Sequence, residues 1–192
     1  MKKIIINNFA AISSLELSLD KNLTVVIGAQ ASGKSTVSKL IYFCRRVKDY
    51  MLEFLVEPKN FTTIHPNEYY SYFLKYIRKQ FMGCFATTKH MKPFLIEFYY
   101  DWNEQESSNL SRKKMSLTLD RSGFVRVNFS KDLSSQIKVL MNESAQLFSS
   151  SAINESTSIE SLLSDLKTRQ VVKSHFSGVV TDLFKDDEEI LY

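Results

Sequence analysis

The sequence has few of the residues that build disulfide frameworks and zinc sites. Its two cysteines, Cys44 and Cys84, form no C-x-x-C pair and have no metal-ligand spacing. The three histidines, His65, His90 and His175, are scattered, and none has a second ligand at helical spacing. We therefore expect two reduced, partly buried thiols in a cytosolic protein and no structural metal.

Long apolar runs are also missing. The isoleucines at residues 4–6 end at Asn7, so the run is too short for the core of a signal peptide. No other run approaches the roughly 20 residues of a membrane span, and the sequence predicts a cytoplasmic protein without membrane contact. A net charge of +4 over 192 residues is too small an excess to indicate nucleic-acid binding by itself. The length suits one domain with its own core.

The first part of the chain predicts three strands followed by a helix. Residues 4–6 are β-branched, and residues 15–19 alternate leucine with polar residues, which is typical of a half-buried strand. Residues 23–27 predict a strand that is apolar on both faces and therefore central in a sheet. Apolar residues at three- and four-residue spacing predict a helix from about Gly33 to Met51.

The remainder of the chain predicts further helices and an antiparallel group of strands. Two prolines indicate a break within residues 54–66, and residues 121–123 form a turn that joins two strands into a hairpin. A serine-rich stretch at residues 148–158 predicts a mobile loop. A helix is predicted over 67–86, another from Leu133 onward, where Leu133, Ile137 and Leu140 lie on one face, and one helix or two over 159–184. Strands are predicted over 94–100, 114–120 and 124–129.

One motif in the sequence carries chemistry. Residues 28–35 fit G-x-x-x-x-G-K-[ST], the phosphate-binding P-loop or Walker A motif, between a predicted strand and a predicted helix. That position is the structural context in which such a loop binds phosphates. The predicted nucleotide-binding residues are Gly28, Ala29, Gln30, Ala31, Ser32, Gly33, Lys34, Ser35 and Thr36.

Each fixed residue type in this motif has a physical reason. The glycines allow tight turns and let backbone N–H groups approach a phosphate chain. The helix that follows directs its positive end at the same phosphates. Lys34 supplies a positive charge to the β- and γ-phosphates, Ser35 a Mg²⁺ ligand, and Thr36 a hydrogen bond to the α-phosphate. The cofactors predicted from these roles are ATP and Mg²⁺.

Other candidate residues carry weaker signals. Phe9, which follows Asn7 and Asn8, could line an adenine pocket or be a core aromatic at the end of a strand. Glu97 ends an apolar run that superficially resembles a Walker B strand, but the alternation continues beyond it. We therefore expect Glu97 to be an outward-facing strand residue. The basic cluster at residues 112–114 is expected to protect a sheet edge.

Several elements of a complete ATPase are not found in the sequence. There is no hhhhDE motif and no LSGGQ-like signature, and the catalytic residues stay unknown. Gln136, Gln146 and Gln170 are all possible for a Q-loop, but none follows a clear strand. The sequence therefore predicts nucleotide binding without efficient hydrolysis by these 192 residues alone.

The N-terminal forty residues resemble the start of RecF/SMC-like and OLD-like ATPases of the ABC class, often grouped as AAA-family ATPases. The similar features are a first strand, the dipeptide Asn8-Phe9 after it, a second strand in which apolar and polar residues alternate, and a third strand that leads into the motif at Gly28. The motif sequence Gly-Ala-Gln-Ala-Ser-Gly-Lys-Ser-Thr is similar to the Walker A sequences of bacterial AAA-family ATPases. Beyond Tyr42 only the order of elements is similar.

This resemblance implies an ATP-dependent homodimer in which each nucleotide lies between the Walker A motif of one subunit and a signature motif of the other. It also implies a role in DNA repair, DNA maintenance or phage defence, with DNA or a nuclease as a possible partner. The signature and Walker B elements are then expected beyond Tyr192, with residues 1–192 forming the N-terminal nucleotide-binding lobe of a longer ATPase.

The predicted fold is an α/β P-loop NTPase of the ABC head-lobe type, with a mixed sheet, antiparallel strands and flanking helices. A small-molecule or nucleotide kinase is an alternative, although such kinases usually place the P-loop strand first, whereas two strands precede it here. A non-catalytic module that senses nucleotide is a third interpretation, because no Walker B motif is found.

Overall fold

The computed structural model describes residues 2–19, 24–57, 61, 64–85, 92–102, 113–150 and 159–185. In chain order the elements are β1 (Lys3–Phe9), β2 (Ile12–Ser18), α1 (Lys34–Arg45), α2 (Val47–Val56), a short 3-10 helix (Pro66–Glu68), α3 (Tyr69–Phe85), β3 (Leu95–Tyr99), β4 (Lys114–Leu119), β5 (Val125–Phe129), α4 (Lys131–Ser150) and α5 (Ile159–Leu183).

Five strands form one sheet in the order β2-β1-β3-β4-β5. Every pairing in it is antiparallel, with Ile6 opposite both Leu15 and Ile96. Side chains alternate between the two faces, and one face is apolar and buried. The buried face includes Ile4, Ile6, Ile96, Phe98, Leu117 and Val127.

The predicted central strand over residues 23–27 is wrong for the residues that the structure describes, and so is the mixed sheet. Residues 24–27 form neither helix nor strand and are exposed to solvent, while Leu23 lies outside the described residues. The physical reason is that a β-prone segment becomes a strand only when neighbours satisfy its backbone groups. Here the described strands pair only with one another.

The predicted helix over residues 33–51 is two helices, α1 and α2, with Arg46 between them. The Arg46 N–H donates to the Tyr42 carbonyl at 3.0 Å, which closes the last turn of α1. The α2 helix continues to Val56, inside the predicted break. It does so because four buried residues, Tyr50, Met51, Phe54 and Leu55, maintain the helical period.

The remaining elements confirm the predicted pattern. α3, α5 and the strands β3, β4 and β5 lie within two residues of the predicted bounds, and α4 begins two residues before the predicted start at Leu133. The hairpin turn is present, and Gly123 adopts a left-handed φ of 77° there. Of the predicted loop at 148–158, residues 148–150 belong to α4, and residues 151–158 lie outside the described residues.

The chain divides into two compact units, each with its own aromatic core. The first consists of Met1–Val47 and Leu74–Leu133, and Phe9, Phe43, Phe81, Phe85 and Phe94 pack together in it with ring centroids 4.9–6.3 Å apart. The second consists of Lys48–Phe73 and Ser134–Tyr192, with Phe54, Phe61, Tyr69, Phe73 and Phe148 in its core. In the second unit the buried Ser144 hydroxyl donates to the Leu55 carbonyl at 2.8 Å.

None of the helices in the described part of the chain combines the length and apolar character that crossing a membrane requires.

Candidate functional site

The motif at residues 28–36 lies in the first unit, in the exposed segment that leads into α1. Residues 24–32 are all exposed, and regular structure begins only at Lys34. Two residues of the loop have left-handed backbone, Ala31 with φ of 61° and Gly33 with φ of 90°. The Ser32 N–H donates to the Ala29 carbonyl at 3.4 Å, so the loop turns back on itself before the helix starts.

Gly33 is required here for two separate reasons. Its φ of 90° lies in the left-handed region, which residues with a Cβ atom rarely adopt. A Cβ at this position would also lie 2.8 Å from Cγ1 of Ile12, the first residue of β2. The crowding at Gly28 is milder, because a Cβ there would lie 3.0 Å from the Ser32 hydroxyl oxygen. Strand β2 therefore fixes the position from which α1 begins.

The sequence at the N-terminus of α1 provides neither a side-chain cap nor an acidic residue. Gly33 is the capping residue, no side chain caps the helix, and its first turn contains no acidic residue. The first intrahelical bond runs from the Val37 N–H to the Gly33 carbonyl at 2.9 Å. The preceding N–H groups have no partner within the helix and, with the helix dipole, favour an anion at this end.

Lys34 folds back over the loop. Its Nζ donates hydrogen bonds to the Gly28 carbonyl at 2.8 Å and to the Ala29 carbonyl at 2.5 Å. The ammonium is thus held by two neutral acceptors and has no carboxylate partner among the described residues. Phosphate oxygens are stronger acceptors for a cation than carbonyls, so these two bonds are exchangeable for an anionic ligand.

The hydroxyl residues that follow Lys34 differ in exposure. Ser35 is exposed, whereas Thr36 is half-buried. In the described ranges, no group of three or more His, Cys, Asp and Glu side chains could hold a metal ion. A Mg²⁺ ion here would therefore depend on Ser35, water and the phosphates of a nucleotide, a set that fits the preference of Mg²⁺ for few protein ligands.

The structure decides between the two interpretations of Phe9. Its ring is fully buried and packs against Phe81, Phe85 and Phe94 with centroids 4.9–6.0 Å apart. Asn7 accepts a hydrogen bond from Ser14 at 3.1 Å, and Asn8 has a left-handed φ of 57° at the end of the strand. Phe9 is therefore a core aromatic and does not line an adenine pocket.

Glu97 is a strand residue, as predicted, but it is engaged with its neighbours. Its carboxylate accepts from Lys114 Nζ at 2.7 Å and from the Tyr99 hydroxyl at 3.1 Å, and only 18% of the side chain is exposed. The hydrogen bond to Glu97 raises the pKa of Lys114, and burial, with Glu97 nearby, raises the pKa of Tyr99. These contacts assign Glu97 to a cross-strand ion pair.

The predicted edge protection by the basic cluster at residues 112–114 is wrong for Lys114. This residue lies in β4, which has β3 on one side and β5 on the other, and its charge is paired with Glu97. Arg112 lies outside the described residues. The three Q-loop candidates, Gln136, Gln146 and Gln170, are exposed on helices, and none comes directly after a strand.

The acid at the end of β4 was missed by sequence reasoning. Asp120 accepts from the Ser122 and Phe124 N–H groups at 2.9 and 3.0 Å, from the Ser122 hydroxyl, and from Arg126. These bonds, led by that of the Ser122 side chain, lower the pKa of Asp120 to about 2. An aspartate just before a turn is the local signal for this capping role.

The cysteines differ more than the sequence indicated. Cys44 is fully buried, and burial raises the pKa of its thiol, whereas Cys84 is exposed. The His65 Nδ1 accepts from the Asn67 N–H at 3.3 Å, and the ring of His175 packs on Phe176. His90 lies outside the described residues.

Comparison with known families identifies the class of protein. The profile described as an AAA ATPase domain matches residues 1–189. The chain therefore belongs to the AAA ATPase domain family, whose membership implies a P-loop fold and supports nucleotide binding. A search of curated proteins found no match for the chain.

Proposed function

We propose that residues 28–36 are a P-loop that binds ATP with Mg²⁺. The observation that carries this proposal is a G-x-x-x-x-G-K-S motif that opens helix α1 in a chain of the AAA ATPase domain family. Its second glycine, Gly33, has a left-handed backbone and a close approach to Ile12, both of which disfavour a residue with a Cβ. Its lysine, Lys34, is the first residue of the helix.

Binding in this site is an exchange of partners by Lys34. The ammonium leaves the carbonyls of Gly28 and Ala29 for the β- and γ-phosphate oxygens, while the N–H groups at the start of α1 bind the same phosphates. Ser35 ligates Mg²⁺, and Thr36 bonds the α-phosphate. The metal, when bound, neutralises charge between the β- and γ-phosphates.

Calorimetry on three variants tests this assignment. Lys34→Ala should lose measurable ATP binding, because the phosphates lose their main cation. Ser35→Ala should weaken binding in Mg²⁺ but change binding in excess EDTA much less. Lys39→Ala is the matched control, because Lys39 is an exposed lysine of the same helix. Unchanged affinity in Lys34→Ala, or an equal loss in Lys39→Ala, contradicts the proposal.

We assign residues 1–192 to the nucleotide-binding lobe of an ABC-class ATPase of the RecF/SMC/OLD-like type. Two features support this class over a kinase. Two antiparallel strands, β1 and β2, precede the motif, and the motif itself lies on an exposed surface suited to a partner subunit. In this class ATP joins two subunits, and the work done is DNA repair, DNA maintenance or phage defence.

The ABC-class assignment predicts that a protein carrying both this lobe and a signature motif forms a dimer. That dimer should depend on the γ-phosphate of ATP. Light scattering with ATP, with ADP and without nucleotide, under conditions that block hydrolysis, measures it. A dimer with ATP alone supports the assignment. Equal masses in all three conditions favour the kinase alternative.

A nucleotide-sensing module is the second candidate, because no Walker B motif is found in the sequence and Glu97, whose surroundings superficially resemble one, is engaged in an ion pair. Glu97 is paired with Lys114, and Asp120 caps a turn. We therefore expect these 192 residues to bind ATP and to hydrolyse it at no more than the background rate. Robust turnover by the purified chain would contradict this expectation.

A further inference from the structure

A surface cavity of about 260 Å³ lies in the second unit, where the 3-10 helix and the first turn of α3 face the middle of α4. Its lining includes Asn67, Tyr69 and Tyr70 on one side and Lys138, Met141 and Asn142 on the other. The last three have i, i+3 and i+4 spacing, so they share one face of α4. Pockets for drug-sized ligands begin at roughly 300 Å³, so a ligand of this cavity is small.

Two of the lining residues are large, apolar and buried. Met141 is 1% exposed and Tyr69 is 4% exposed. The Tyr69 hydroxyl donates to the Phe61 carbonyl at 3.1 Å, and the two rings pack edge to face with centroids 5.0 Å apart. These contacts hold the apolar part of the lining in place. A ligand with an apolar body can therefore bury surface against it.

Lys138 is the only residue of this lining that is charged at neutral pH. Its Nζ lies 4.9 Å from the centroid of the Tyr70 ring, and it forms no ion pair with any acidic residue that the structure describes. A cation–π contact at an exposed site is weak, and it leaves the N–H donors of the ammonium available. The lining therefore favours an anion.

The remaining polar groups of the lining can donate hydrogen bonds to that anion. The hydroxyl oxygens of Tyr70 and Ser134 are 2.8 Å apart, and when Ser134 donates, the phenol proton is available to a ligand. Burial raises the pKa of Tyr70, so the phenol keeps this proton at neutral pH. Within the described ranges the side-chain amides of Asn67 and Asn142 form no hydrogen bond, and both can donate.

We propose that this cavity binds a small monocarboxylate. The carboxylate accepts hydrogen bonds from the Lys138 ammonium and from the amides of Asn67 and Asn142, and the apolar body lies against Met141. One lysine balances one negative charge, whereas a phosphate group with a charge of about −1.5 to −2 at pH 7 would stay partly unbalanced. The cavity is separate from the proposed ATP site, because residues 28–36 belong to the first unit.

Amide NMR on the whole chain, with benzoate as the probe, tests the proposal. Benzoate should shift the N–H resonances of residues 138, 141 and 142 saturably, with a dissociation constant on the order of 1 mM, as expected for so small a ligand. Benzamide has a similar shape without the charge, and it should bind about tenfold more weakly because it cannot pair with Lys138. Inorganic phosphate should also bind more weakly than benzoate.

Two lysine variants test whether the charge of Lys138 is responsible. Lys138→Met keeps an unbranched apolar side chain but removes the ammonium, so it should bind benzoate no more tightly than the wild type binds benzamide. Lys79→Met is the matched control, because Lys79 is an exposed lysine of α3 in the first unit, and it should bind benzoate as the wild type does.

Four outcomes overturn the proposal. They are no saturable shift in the wild type, equal affinity for benzoate and benzamide, phosphate binding as tight as that of benzoate, and an equal loss of benzoate binding in both lysine variants. ATP binding should be the same in Lys138→Met as in the wild type, so a failure here is distinguishable from a failure of the proposed P-loop function.

Discussion

Substitution of Gly33 by alanine provides a graded test of the loop geometry. Two costs act at this position: a left-handed φ of 90°, and a Cβ only 2.8 Å from Cγ1 of Ile12. The first cost is about 1–2 kcal/mol for a residue with a Cβ. The second adds to it, because Ile12 is a buried strand residue that must shift.

Two other glycines of the same unit separate these costs. Gly123 has a φ of 77°, and no atom lies within 4 Å of the point that an added Cβ would occupy, so Gly123→Ala carries only the backbone cost. Gly83 lies in α3 with ordinary φ and open space, so Gly83→Ala should stabilise by about 0.5–1 kcal/mol.

Urea unfolding, followed by far-UV circular dichroism, measures the series. With a slope of about 2 kcal/mol per M, Gly123→Ala should lower the midpoint by about 0.5–1 M, and Gly33→Ala should lower it further. Gly83→Ala should raise the midpoint. If Gly33→Ala were no more destabilising than Gly123→Ala, the close approach of β2 to the loop would be refuted.

Three further predictions follow from individual side chains. Ellman's reagent should modify Cys84 at once in the native protein and Cys44 only after unfolding, because Cys44 is buried and its pKa is raised. The Asp120 carboxyl should titrate near pH 2 by NMR. Because folding lowers this pKa from 3.8, the wild type should exceed Asp120→Asn in free energy of unfolding by the full difference above about pH 4. That difference should disappear towards pH 2, as measured by urea unfolding at several pH values. A double-mutant cycle of Glu97→Gln and Lys114→Met should give a coupling of about 1 kcal/mol or less, since both side chains keep some solvent contact. On the alkaline side, that coupling should vanish only above the raised pKa of Lys114.

The elements that were predicted correctly are those with a local pattern. The hairpin β4–β5 was predicted from two alternating strands around a turn with Gly123, and α4 from the spacing of Leu133, Ile137 and Leu140. Period and turn chemistry are properties of neighbouring residues, so a single sequence contains them.

The predictions that were wrong depended on partners distant in sequence. Residues 24–27 have the composition of a central strand, but composition supplies no neighbouring strand with which to pair. Lys114 has the charge of an edge protector, but its place between β3 and β5 and its pairing with Glu97 arise only from the sheet order. The pattern around Phe9 fitted two roles equally, and only the ring packing decides between them.

The motif alone predicted the candidate site, but it did not predict two of the contacts within that site. Lys34 contacts two backbone carbonyls, and Ile12 lies close to Gly33. Both contacts depend on the three-dimensional structure, and the spacing of the motif residues does not predict them. Both constrain the same loop, because one holds its lysine and the other fixes the start of α1.

Binding of ATP with Mg²⁺ at residues 28–36 can be followed residue by residue with amide NMR. Titration of the labelled chain with Mg²⁺ and a non-hydrolysable ATP analogue should shift the N–H resonances of Gly28, Gly33, Lys34 and Ser35 saturably. The amide resonances of Gly83 and Gly123, exposed residues in α3 and in the hairpin turn, should stay unchanged. Saturable binding that leaves the amide resonances of residues 28–36 unchanged would show that the nucleotide binds elsewhere on the protein.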